Sequence, residues 1–157
     1  MTNTRQYLKD YTKPDFSIDN CHLYFNLHET ATIVTSTLKM AKNTDAPLVL
    51  NGENLKLKKI KLNNVELTSN EFEVSQVHLT IFKTPAEFTL NIEVEINPES
   101  NKSCEGLYLS GGIFCTQCEA ESFRKITYFL DRPDVMTSYT VEMEADEKKY
   151  PLLLSIG

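Results

Sequence analysis

From about residue 18 to about residue 145 the chain alternates apolar and polar positions with a period of two. The clearest run is 88–96, Phe-Thr-Leu-Asn-Ile-Glu-Val-Glu-Ile, where Thr89, Asn91, Glu93 and Glu95 take the polar face. Such a pattern predicts a half-buried strand in fixed register, because a slip of one residue would turn every apolar side chain into water. Residues 139–145, Tyr-Thr-Val-Glu-Met-Glu-Ala, repeat it. Ile18, Cys21, Leu23, Phe25 and Leu27 form an apolar edge with one local irregularity. The Thr-, Val- and Ile-rich run 31–40 reads as the returning half of a hairpin around His28, Glu29 and Thr30. Leu55, Leu57, Ile60 and Leu62 share a face only if a bulge inserts one residue near Lys58 and Lys59.

Turn-forming residues punctuate these runs at 45–47, 51–52, 63–64, 83–85, 97–98 and 111–112. Many short strands without long intervening helices predict an all-β fold, sandwich-like or saddle-shaped, with antiparallel and mixed sheets. The stretch 119–136 departs from this. Alternation stops, and 119–125 predicts a short helix with Ala120, Phe123 and Arg124 on one side; Pro133 suits the first turn of another. A non-strand insert in a strand-rich domain is where binding loops usually sit. Residues 1–12 read as a loosely ordered arm ahead of one β domain over 13–157. The apolar run in 149–157 reads as a strand that continues past the end of the chain.

Composition narrows the partners. The chain has 157 residues, 41% of them hydrophobic, which suffices for one cored domain. Sixteen basic residues against 22 acidic ones give a net charge of -6. That balance disfavours nucleic acid or an anionic membrane, which call for concentrated Lys and Arg. No secretory h-region opens the sequence and no apolar run reaches spanning length, so the expected location is cytoplasmic. Cys115 and Cys118 have the bare spacing of a redox pair or half a zinc knuckle, but no second ligand pair accompanies them. Buried free thiols are the competing reading for the four cysteines. No His-Glu-x-x-His, phosphate loop or nucleophile elbow is present, so catalysis by this chain alone is not expected.

One constellation stands out. Gln117 and Glu119, in Cys-Thr-Gln-Cys-Glu-Ala-Glu (115–121), would point the same way about 6.5–7 Å apart if the segment is extended. The carboxylate suits an ammonium and the amide an adjacent backbone group. Alternatively Glu119 caps a helix or pairs with Arg124, and Gln117 is ordinary surface.

Several stretches together resemble the amino-terminal domain of the M1 zinc aminopeptidases, in their bacterial aminopeptidase N (alanyl aminopeptidase) branch. They are Asp-Ala-Pro-Leu-Val-Leu-Asn-Gly-Glu-Asn-Leu-Lys at 45–56, Glu-Gly-Leu-Tyr-Leu-Ser at 105–110, the run 115–135, and Lys-Tyr-Pro-Leu-Leu-Leu-Ser at 149–155. The resemblance implies a β-rich domain, without zinc or activity of its own, that packs on a catalytic domain carrying the zinc. It implies that the parent enzyme removes amino-terminal residues from peptides. Glu119 would bind the substrate's α-amino group and Gln117 would line the pocket for its first residue. Arg124, Asp131, Arg132 and Pro133 would support the loop. A domain detached from its catalytic partner is expected to expose the covered face and to self-associate through it. A stand-alone β-sandwich interaction module, without enzymatic activity, is the other reading of the composition.

Overall fold

A computed structural model describes residues 7–155 of the chain. Its strands are β1 (Phe16–Asn26), β2 (Thr32–Lys42), β3 (Leu48–Asn51), β4 (Lys56–Leu62), β5 (Val65–Glu66) and β6 (Phe72–Val74). They continue with β7 (His78–Ile81), β8 (Glu87–Ile96), β9 (Gly106–Ser110), β10 (Ile113–Gln117) and β11 (Ser138–Glu144). A six-stranded sheet has the order β11-β1-β2-β8-β4-β5, a three-stranded sheet the order β3-β7-β6, and β9 and β10 form a separate ribbon. Among the described residues only β11 on β1 is a parallel pairing, so the large sheet is mixed.

The period-two reading carries over directly. Val34, Leu38 and Met40 of β2 and Phe88, Leu90, Ile92, Val94 and Ile96 of β8 all point into one core. Leu48, Leu50, Leu79 and Ile81 of the smaller sheet belong to the same core. Each such side chain contributes about 1.5–3 kcal/mol when fully buried. Both expected irregularities are present: the register shifts between Ile18 and Asn20, and again between Leu57 and Lys59. The extra residue restores Cys21 to the core face in the first case and Ile60 in the second. The β1–β2 hairpin is closed by Thr32, whose hydroxyl donates to the His28 carbonyl at 2.6 Å and accepts its amide at 3.0 Å.

Helix is scarcer than the sequence suggests. Among the described residues it amounts to 3-10 turns at Leu8–Asp10 and Phe123–Lys125. A helix over 119–125 is blocked because Glu121 has φ of 66°, in the left-handed region. Pro133 lies in a turn and starts no helix. There Arg132 forks onto Asp134 at 2.9 and 2.7 Å, and the Val135 amide donates back to the Arg132 carbonyl at 3.1 Å. The described part of the apolar tail, up to residue 155, is not a strand either. Pro151 has no ladder donor, Tyr150 packs on Phe114 and Leu153 packs against the core. Of the expected arm, residues 1–6 lie outside the described residues, and the Thr12 carbonyl accepts from Arg132 at 2.9 Å.

Candidate functional site

Gln117 closes β10, and its Nε2 donates to the Glu119 carbonyl at 3.4 Å. The strand stops there. Cys118 is a one-residue link, and Glu119 opens a turn whose Glu119–Ala120 peptide is cis. The extended geometry expected from the spacing therefore gives way to a corner, with both side chains exposed. Among the described residues the Glu119 carboxylate has no hydrogen-bond donor and no cation.

Its acidic neighbours differ. Arg124 donates from Nε to Asp131 Oδ2 at 2.6 Å, and from Nη2 to the Asp131 carbonyl at 2.9 Å and Glu121 Oε2 at 3.2 Å. Asp131 Oδ2 also accepts the Arg124 amide at 3.1 Å. Burial works against the Arg124 charge, but Asp131, Glu121 and Glu53 more than offset it and raise its pKa. Arg124 thus pairs with Glu121 and Asp131, leaving Glu119 aside. Arg132 and Asp134 make a second, more exposed fork, beside an exposed Pro133.

Sequence reasoning missed what fastens this loop to the core. Asn51 Oδ1 accepts the Asp131 amide at 3.2 Å, and the Asn51 and Phe129 backbones exchange hydrogen bonds of 2.8 and 3.0 Å. Gly52, which looked like turn punctuation, lies flat against Tyr128; a Cβ there would overlap the ring at Cδ1 and Cε1. Ser36 and Thr127, both fully buried, share a hydrogen bond of 3.1 Å between β2 and the loop. No local pattern signals these contacts, since their partners are some 80 or 90 residues apart.

Behind the corner, β1, β11 and the ribbon enclose an apolar groove of about 660 Å³, lined by Leu23, Phe25, Phe114, Val141, Met143 and Leu153 among others. At its rim Ile113, Leu152 and Leu154 are 65%, 72% and 81% exposed. Phe114, Thr116 and Cys118 face this groove. Cys115 alternates to the opposite face. Burial, aided by Asp131, pushes the Cys118 thiol up to about 11, so it is protonated and a poor nucleophile at neutral pH. Opposed faces and a protonated thiol both count against a redox pair. All four cysteines are free. Among the described residues no three or more His, Cys, Asp or Glu side chains are grouped to hold a metal, so the residues present do not fit zinc.

The sequence profile of the Peptidase M1 N-terminal domain matches residues 15–155. The chain belongs to that family. It is 51% identical over 152 residues to aminopeptidase N of Caulobacter vibrioides and 46% identical over 154 residues to aminopeptidase N of Escherichia coli. These alignments take in 96% and 97% of the chain but only 18% of either relative, so the M1 domain spans under a fifth of their length. Among solved structures, aminopeptidase A of Legionella pneumophila in complex with aspartic acid superposes with a TM-score of 0.89 at 30% identity. That match covers 97% of this chain and 18% of the other. Yeast LTA4 hydrolase, with a TM-score of 0.69 at 20% identity over 83% of this chain and 23% of its own, shares the fold. The M1 family is one of zinc metallo-aminopeptidases, and this domain supplies no metal-binding group among its described residues.

Proposed function

We propose that this M1 domain is the non-catalytic, substrate-side part of a longer zinc-dependent aminopeptidase that removes amino-terminal residues from peptides. In this reading Glu119 receives the α-ammonium of the substrate and Gln117 lines the pocket for its first residue. Arg124, Asp131, Arg132 and Pro133 hold the loop that presents them. One observation carries the reading. Within a dozen residues, Glu121 and Asp131 are both satisfied by Arg124, while the exposed carboxylate of Glu119 has no cation among the described residues. An acid left open beside an amide fits an incoming ammonium, to which a charge-assisted hydrogen bond gives both energy and direction. The aminopeptidase relatives favour a peptide amino end over other cations.

The apolar groove supports a second element, the docking of the protein's own catalytic domain. Left open, the same surface would favour self-association of the separate domain. Four free cysteines fit a reducing compartment, which supports a cytoplasmic location.

The test is Glu119→Ala in the longer protein. Losing one partner of a desolvated charge pair costs about 2–5 kcal/mol, so kcat/KM for free-amine peptides should fall about 30- to 5,000-fold. Zinc content should not change. Equal turnover by mutant and wild type would overturn the assignment.

A further inference from the structure

Strand β10 delivers Gln117 and, two residues on, the Glu119 corner, yet among the described residues its only sheet neighbour is β9. A two-stranded ribbon is marginal by itself in water, so its direction depends on what packs behind it. Behind it lies Phe114, whose ring centroid is 4.8 Å from that of Tyr150, with the planes tilted by 51°. The Tyr150 hydroxyl in turn donates to Glu29 Oε1 at 3.0 Å, and Lys149 donates to the same oxygen at 3.1 Å. Glu29 lies in the β1–β2 turn, and its carbonyl accepts the Glu99 amide at 2.8 Å, so the anchor is itself fastened beyond the end of β8. The Asp146 carbonyl accepts the amides of Lys149 at 3.1 Å and Tyr150 at 2.8 Å, closing a turn just before the ring. Pro151 narrows the backbone choices of Tyr150 further.

We propose that Tyr150, held by Glu29, is a positioning residue for the Gln117–Glu119 corner: it buttresses Phe114 and so sets the line along which β10 presents the ammonium-binding carboxylate. Its effect on turnover rests on the function proposed above; its effect on the strand rests on the contacts alone. Glu29 and Tyr150 lie far in sequence from Glu119 and touch neither it nor Gln117. They act through one aromatic contact at the start of the groove-facing row of β10. The phenol provides both halves of that link, a ring for Phe114 and a hydroxyl for Glu29.

The experiment uses Tyr150→Leu, which removes ring and hydroxyl, and Tyr150→Phe, which keeps the ring, in the longer protein. Hydrogen exchange is read at the amides of 113–117, with those of β8 as the folding control. Tyr150→Leu should speed exchange in β10 about tenfold and leave β8 unchanged, with Tyr150→Phe in between. For a free-amine peptide, Tyr150→Leu should raise KM about tenfold with kcat within about twofold, as expected when a binding group is misaimed. The KM effect should vanish in a Glu119→Ala background, because residues that act through one another are not additive. Unchanged β10 exchange in both variants would overturn the buttress, and a KM effect that adds in full to Glu119→Ala would overturn its role in positioning. If Glu119→Ala alone has no effect, the ammonium assignment fails, and the exchange measurement still decides the buttress. If Tyr150→Leu does not fold, as judged at β8, Tyr150→Phe decides it: faster exchange confined to 113–117 supports the link and none overturns it.

Discussion

In β8, Phe88, Leu90, Ile92, Val94 and Ile96 reach the same core, while Thr89, Asn91, Glu93 and Glu95 stay on the opposite face. In the segment 118–131 no such rhythm exists. Ile126, Tyr128, Phe129 and Leu130 enter the core, and named polar contacts fix the turns around them: Arg124 to Asp131 and Glu121, Asp131 to Asn51, Thr127 to Ser36. The first region is specified by area, which is non-directional and tolerates exchange among apolar residues of similar volume. The second also buries area, but its path is set by donors and acceptors at fixed positions, where a missing partner leaves another one buried and unmet. A strand can be built from the first kind of force. A corner that holds a carboxylate open for a ligand requires the second.

The sharpest way to break this contrast is at Asp131. With the Arg124 and Asp131 side chains 18% and 9% exposed, Asp131→Ala removes the closest counter-charge from a largely buried guanidinium, leaving it Glu121 and a backbone carbonyl, and should cost about 3–5 kcal/mol in urea unfolding. Leu90→Ala, which leaves a cavity, should fall in a similar range of about 2–5 kcal/mol. Conservative exchange then separates the regions. Leu90→Met should cost less than about 1.5 kcal/mol, whereas Arg124→Lys loses the planar fork and should cost distinctly more. Equal costs for these two conservative changes would end the distinction.

Gly52 gives a smaller effect. The ring its Cβ would strike belongs to Tyr128, itself only 2% exposed. Gly52→Ala should therefore destabilise by about 1–3 kcal/mol through overpacking. Adding Tyr128→Leu should recover part of that loss in the same unfolding assay. No recovery would mean that backbone freedom at Gly52 matters more than the close approach.

The mildest test is acid. The Glu29 carboxyl is held down at about 2, from an ordinary 4.5, by its own backbone amide first and then by Lys149 and Tyr150. A lowered carboxyl pKa contributes stability above the unfolded value and loses it as pH falls through the folded one. The stabilisation from the Glu29 contacts should thus be full above pH 4.5 and be lost progressively between 4.5 and about 2. The ring resonances of Tyr150, which report the folded protein, should shift in a transition centred near pH 2, and Glu29→Gln should abolish it. A shift centred near neutral pH would contradict the assignment.

Much of the architecture was legible because alternation reports which face a strand buries, and burial needs no particular partner. The spacing of Leu57 to Ile60 even revealed a bulge, and that of Ile18 to Cys21 an irregularity, since only an inserted residue keeps those side chains on one side. Gln117 and Glu119 were legible as residue types, but the corner between them was not, because the spacing read as a continuing strand. The partner of Arg124 was also unreadable locally: the spacing offered Glu119, whereas tertiary placement gave Arg124 to Glu121 and Asp131 and left Glu119 open. The tail shows the same limit. Its apolar run predicted a strand, yet Pro151 removed a donor and Tyr150 found Glu29 and Phe114 instead.

The sequence by itself determined an all-β domain, its core faces and the chemical kinds of side chain at the site, because solvent sorts residues by polarity along the chain. Which carboxylate stays unpaired, what stands behind its strand, and that Asn51 and Gly52 brace a loop far along the chain were decided only by the tertiary structure. Hydrogen bonds and ring contacts are short-ranged and directional, so their partners exist only once distant segments have been brought together.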